Sequence, residues 1–218
     1  MRVLFLLSIV FCFTQCTENS KKESGEMESK IAMAAGEENF DKVKTLAFTF
    51  NTQRDSAKGA ERKWKWLRES DEVISFNGTD SVLFKRYDTS TAELKKLNAD
   101  FTNDEYWLLF PYHLVWDEGM TITDNGMAQG PVTMNSLHKL TVQYDKNAGF
   151  TPGDMYVIYV DENDKIIEWE FHKSGSAEPS LMTSWEDYED YNGLKLSSNH
   201  TNKDGSFRLF FTDIAVTE

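Results

Sequence analysis

Cysteine is nearly missing from this sequence. Its 218 residues hold two, Cys12 and Cys16, both near the N-terminus. The body of the chain therefore carries no disulfide framework and no cysteine-based metal site. Basic charge is also short: 23 Lys+Arg stand against 36 Asp+Glu, a formal net charge of −13. Nucleic-acid binding needs a concentrated basic surface, so that class is excluded. Proline is scarce, with 4 residues, and sequence repeats and low-complexity tracts are absent. No apolar run reaches the roughly 20 residues that a membrane-spanning helix needs.

What is present is apolar and aromatic. Hydrophobic residues make up 40% of the chain, and there are 6 Trp, 8 Tyr and 15 Phe. That composition excludes wholesale disorder, and the length suits one domain with a sizeable core.

Met1-Arg2 is followed by the apolar run 3–13 and then by Thr14-Gln15-Cys16 and a sharply polar stretch. A charge, a short apolar run and a polar exit fit a secretory signal. A Cys at the end of such a run, ahead of a polar tether, resembles a bacterial lipoprotein signal. The alternative is an ordinary secretory signal cut elsewhere. The resemblance implies a signal peptide at 1–15, a lipid anchor on Cys16, a flexible tether at 16–27 and a single domain at 28–218. Thr17 stands where inner-membrane lipoproteins carry Asp. The resemblance thus implies an outer-membrane lipoprotein, facing the periplasm or the cell surface.

Met27, Ile31, Ala34 and Ala35 recur at helical spacing, with Gly36 as a stop and Phe40 and Val43 in a short second turn. Then the period becomes two. Residues 46–52, 62–68, 73–76 and 82–87 read as strands, with Asn77-Gly78 as a hairpin turn. Residues 90–110 break the rhythm. Thr89 or Ser90 caps one or two short helices that end before Pro111. Strands return at 120–123, 137–144, 156–160, 166–172, 181–188, 194–199 and 207–216. Asp124-Asn125-Gly126, the 161–165 loop, Asn192-Gly193 and Asp204-Gly205 mark turns. Ile167, Trp169 and Phe171 oppose Ile166, Glu168, Glu170 and His172. Several strands are apolar on both faces, which implies a core on one side and helices or a cavity on the other.

The fold class is therefore α+β and mainly antiparallel β: a large curved sheet or unclosed β-barrel, with helices against its concave face. This order of elements resembles the LolA/LolB-like lipoprotein-carrier superfamily, and more closely an uncharacterised bacterial lipoprotein family of that fold. The residues that carry the resemblance are 104–114 (DEYWLLFPYHL), 151–161 (TPGDMYVIYVD), Ile167-Glu168-Trp169, 182–188 (MTSWEDY) and 192–196 (NGLKL). It covers roughly residues 28–218. It implies an open barrel, LolA-like, with a hydrophobic cavity that holds acyl chains.

Catalytic signals are lacking. There is no Gly-x-Ser-x-Gly elbow, no phosphate loop and no dinucleotide fingerprint. The histidines, His113, His138, His172 and His200, sit in no metal-ligand spacing. Glu168, Glu170 and His172 on one strand face read as polar surface rather than a metal site. Asp161-Glu162-Asn163-Asp164 lacks the Gly and the distant Glu of a calcium loop. Glu186-Asp187 and Glu189-Asp190 read as solvated charge, and Asn77-Gly78-Thr79 and Asn199-His200-Thr201 as turns. No catalytic residue, metal or cofactor is expected, and the protein is read as a non-enzyme.

The aromatics point to a pocket instead. Trp64, Trp66, Phe76, Phe84, Trp169, Phe171, Phe207, Leu209 and Phe211 are expected to line it, with Arg62 and Arg68 beside the two tryptophans. The expected function is non-covalent binding of a lipid or acyl chain by a membrane-anchored protein. The alternative is a structural or protein-interaction lipoprotein with a filled core and no ligand, its protein partner unidentified.

Overall fold

The computed structural model describes residues 15–147 and 151–218, with side chains described from Gly25 onward. The expected signal at 1–15 lies almost wholly outside the described residues, as does the Cys16 side chain.

A helix, α1, spans Gln15–Ala34. The segment 16–27 expected as a flexible tether is thus helical backbone. Lys30 and Glu26 pair one turn apart at 2.9 Å, which favours the helix. Gly36 ends it with φ of +84°, and a Cβ there would sit 1.9 Å from the Gly193 carbonyl oxygen. The Ala35 carbonyl left free at this end accepts from Tyr112 Oη and from the Lys195 backbone N–H, both at 2.8 Å. As expected, a short turn follows, Glu37–Lys42, which buries Phe40.

Among the described residues, twelve strands follow. They are β1 (Thr45–Arg54), β2 (Ala57–Leu67), β3 (Glu72–Asn77), β4 (Asp80–Lys85), β5 (Met120–Gln129), β6 (Ser136–Tyr144), β7 (Met155–Val160), β8 (Ile166–His172), β9 (Leu181–Ser184), β10 (Glu186–Tyr191), β11 (Leu194–Thr201) and β12 (Phe207–Thr217). Two antiparallel sheets result, ordered β10-β11-β12-β1-β2-β3-β4 and β5-β6-β7-β8-β9. They meet where Ser184 Oγ donates to the Thr201 carbonyl and accepts from the Thr201 N–H, both at 3.1 Å. This is the expected class, curved antiparallel sheet with helix against it.

Between the sheets runs α2, Ala92–Trp116. Its N-cap is Thr91, not Thr89 or Ser90, and Thr91 Oγ1 accepts from the Leu94 N–H at 3.1 Å. The helix does not stop before Pro111. Every residue from 104 to 114 is buried. With no water to take over freed backbone groups, continuing past the proline satisfies more of them than ending there. Its second half, buried on every side, belongs to the core, while most of residues 92–103 are exposed or half-buried.

Other departures have similar causes. The strand expected at 181–188 breaks at Trp185 and serves both sheets. The strand expected to end at Thr123 continues, and Asp124-Asn125-Gly126 form a bulge with Gly126 at φ +68°. A register shift between Tyr159 and Val160 puts Ile166 in the main core, and Ile167 against Leu137, Val157 and Tyr159 on the other face. Asn199-His200-Thr201 is strand, not turn, and His200 is fully buried. The acidic pairs at 186–190 lie on β10, an edge strand, where charge discourages pairing with another chain.

Candidate ligand-binding cleft

The aromatics divide between a filled half and an open half. Beneath the seven-stranded sheet, Phe101 of α2 sits 5.6 Å from Trp64 and 6.0 Å from Trp66, ring to ring. Phe84 packs on Trp64, and Phe211 packs between Phe48 and Phe50. Leu209 is buried in the same cluster. These residues form solid core rather than a lining. Phe76 corrects the expectation outright: it pairs with Lys63, which faces away from Trp64, and the Lys63 ammonium lies over its ring.

Arg62 and Asp104 fasten this half to α2. The Arg62 guanidinium makes two bonds to the Asp104 carboxylate, one at 2.7 Å, and Trp64 Nε1 donates to the same carboxylate at 2.8 Å. Burial raises the Asp104 pKa against the pull of Arg62, while Asp104 in turn holds Arg62 charged. Asp104→Ala would leave a buried indole N–H and a largely buried guanidinium unpaired. Urea unfolding is expected to show a loss of about 3 kcal/mol, and a loss under about 1 kcal/mol would contradict this role. The Arg68 guanidinium lies over the Phe40 ring, 4.1 Å from its centroid.

The open half lies between α2 and the five-stranded sheet. Ala99, Thr102, Asn103 and Tyr106 line one wall of a cleft of about 280 Å³. They recur at i, i+3, i+4 and i+7, so they form one helix stripe. The first three side chains are short and leave the space unfilled. The other wall holds Tyr156, Trp169 and Phe171, with Trp107 beside them. Tyr156 stacks on Trp169 at 5.1 Å and on Phe171 at 5.4 Å. Trp107 meets Trp169 edge-on at 4.2 Å. Burial pushes the Tyr156 hydroxyl pKa up, so this hydroxyl stays neutral, and Thr151 and Asp154 complete the lining as its polar end.

Trp169 and Phe171 are thus brought to one site. Tyr106, Trp107 and Tyr156 were not among the residues expected to line it. Phe207 lies elsewhere, in a hollow of about 470 Å³ with Leu181 and Met182. A larger hollow of about 510 Å³ is walled partly by the acidic turn 161–164 and suits an alkyl chain poorly.

Tyr106 also joins a buried network. Its hydroxyl donates to Tyr144 Oη at 2.6 Å, and Tyr144 donates to Asp117. His113 sits between two carboxylates, with Nδ1 2.9 Å from Asp117 and Nε2 3.2 Å from Glu105. Burial alone would lower its pKa. The Glu105 charge and the hydrogen bond to Asp117 outweigh this and raise it to about 9.

Among the described residues, no group of three or more His, Cys, Asp and Glu side chains gathers to hold a metal. Glu168 turns away to accept from the Val132 and Thr133 N–H groups, while Glu170 and His172 bond each other at 3.0 Å.

No protein-family model matches the sequence, and neither does any curated protein. Solved structures do match. A DUF1329 family protein from Desulfovibrio piger superposes with a TM-score of 0.50 at 8% identity, over 90% of this chain and 93% of that one. A LolA superfamily protein from Nitrosomonas europaea gives 0.46 at 12%, over 88% and 94%. An outer-membrane lipoprotein-sorting protein domain from Vibrio parahaemolyticus gives 0.46 at 12%, over 92% and 93%. At these identities the likeness concerns fold, and the first of the three carries it.

Proposed function

We propose that the protein is a lipid-anchored envelope protein that holds an acyl chain, without chemistry, in the cleft between α2 and the five-stranded sheet. One observation carries the reading: a helix stripe of short side chains faces stacked aromatic rings across unfilled space of about 280 Å³. That is near the lower limit of ordinary ligand pockets, roughly 300 Å³. An alkyl chain gains about 0.8 kcal/mol for each methylene it buries there. An anchor at Cys16 would keep the cleft beside the membrane that supplies the ligand.

Phe171→Glu tests this. It places a charge at the cleft wall on a partly buried position. Titration with a fluorescent fatty acid is expected to show at least tenfold weaker binding than the unaltered protein. Equal affinity would remove the cleft as the site.

The filled half favours a second reading, a scaffold without ligand that recruits a protein through its acidic surface. On that reading the fluorescent fatty acid binds neither form.

A further inference from the structure

Four side chains where the two sheets meet carry polar atoms with no hydrogen-bond partner among the described residues. They are Trp169 Nε1, Thr183 Oγ1, Trp185 Nε1 and both ring nitrogens of His200. All four residues are buried, none more than 2% exposed. Folded proteins rarely leave one such atom unpaired, and here they occur together. Thr183 is the cross-strand neighbour of Trp169. The Trp185 ring lies 5.4 Å from Trp169 and 4.6 Å from His200.

The cluster adjoins the cleft. Trp169 belongs to both. Trp107 lines the cleft, and its ring lies 5.4 Å from His200. Trp107 and Trp169 thus border both the cleft and the cluster. The chemistry of the cluster is lopsided. Two indole N–H groups donate only, the Thr183 hydroxyl both donates and accepts, and a neutral imidazole offers one donor and one acceptor. Burial lowers the His200 pKa to about 3, against a smaller opposing pull from the Ser184 backbone, so the ring is neutral. Such a set suits an oxygen acceptor and offers little to an ammonium group.

We infer that this cluster receives the carbonyl oxygen of an acyl group whose alkyl chain occupies the cleft. The inference rests on the acyl-binding reading and adds the polar end of the ligand to it. The carbonyl comes from a free fatty acid or from an esterified lipid.

The test uses the full chain and three probes of equal length: decanoic acid, methyl decanoate and decane, each delivered from cyclodextrin. Binding is followed by tryptophan fluorescence, and the labelled carbonyl carbon by ¹³C NMR. The acid or the ester is expected to bind at least tenfold more tightly than decane. The nearly isosteric Thr183→Val should cut that preference about threefold, leave decane binding unchanged and shift the carbonyl resonance. His200→Phe should do the same. Preference for the acid identifies a free fatty acid, and preference for the ester an esterified lipid. Either supports the inference. Equal binding of all three probes would overturn it while leaving the acyl-binding reading intact, with water filling the cluster. Binding of none would overturn both.

Discussion

His113→Leu is expected to lower the free energy of unfolding by about 3–5 kcal/mol at pH 7. The side chain is buried between Glu105 and Asp117, both of them buried or nearly so. Removing the cation leaves two buried carboxylates without the charge held between them, with Arg68 acting on Glu105 as partial compensation. The Tyr144 and Tyr106 hydroxyls stabilise one of them only partly. The pH dependence has a definite sign. The folded-state pKa of about 9 lies above the ordinary 6.5, so the native state holds the proton more tightly. The stabilisation is complete below about pH 6.5 and is lost as pH rises through 9. It amounts to about 3 kcal/mol across that window. Chemical denaturation between pH 6 and 9 should therefore show a falling slope that His113→Leu abolishes. A pH-independent difference between the two proteins would contradict a charged His113. Burial keeps the Tyr106 and Tyr144 hydroxyls protonated to well above pH 10, so they do not blur this window.

The second large effect lies on the acid side. Burial holds His200 neutral down to about pH 3. The unfolded chain takes up the proton from about pH 6.5 downward, so stability is lost as pH falls through that range. The loss approaches about 5 kcal/mol near pH 3. In the ligand-free protein His200→Leu should be at least as stable as the unaltered protein at pH 7, because it removes a buried polar ring whose hydrogen bonding is at most partly met, by the Ser184 backbone. It should also flatten the acid limb, leaving only the carboxylates' share. Thermal unfolding at pH 4, 5, 6 and 7 measures both. A Leu variant much less stable at pH 7 would mean that the ring nitrogens are paired.

The hairpins were legible because their turn residues state a backbone geometry. Asn77-Gly78 and the 161–165 loop each connect the strands expected of them. Pro111 misled because local preference is outweighed when a helix is buried on every side. Trp185 misled because two short strands in different sheets share one unbroken β pattern. A register shift is invisible to a strict period of two, which is why Ile166 and Ile167 exchange faces. Within the site, Trp169 and Phe171 were legible as alternate residues of one strand. Tyr106 and Trp107 fall in the segment read only as one or two short helices. The signal that would have found them is the stripe Ala99, Thr102, Asn103 and Tyr106, where small side chains lead along one helix face into the buried aromatics and leave space unfilled. Trp64, Trp66, Phe84, Leu209 and Phe211 look the same in sequence as a pocket lining. Phe101 against Trp64, Trp66 and Phe48, and Phe48 and Phe50 against Phe211, make them a solid core. Phe76 was assigned to the wrong face because its partner on β2 is Lys63, not Trp64.

The acyl-binding reading stands on whether the cleft holds an alkyl chain. Native mass spectrometry of the protein, purified without detergent from a bacterial envelope and released from its membrane, tests this most directly. The expected spectrum shows a non-covalent adduct of fatty-acid or lipid mass that is absent from Phe171→Glu. A bare polypeptide mass that stays unshifted when fatty acids or phospholipids are added would contradict it.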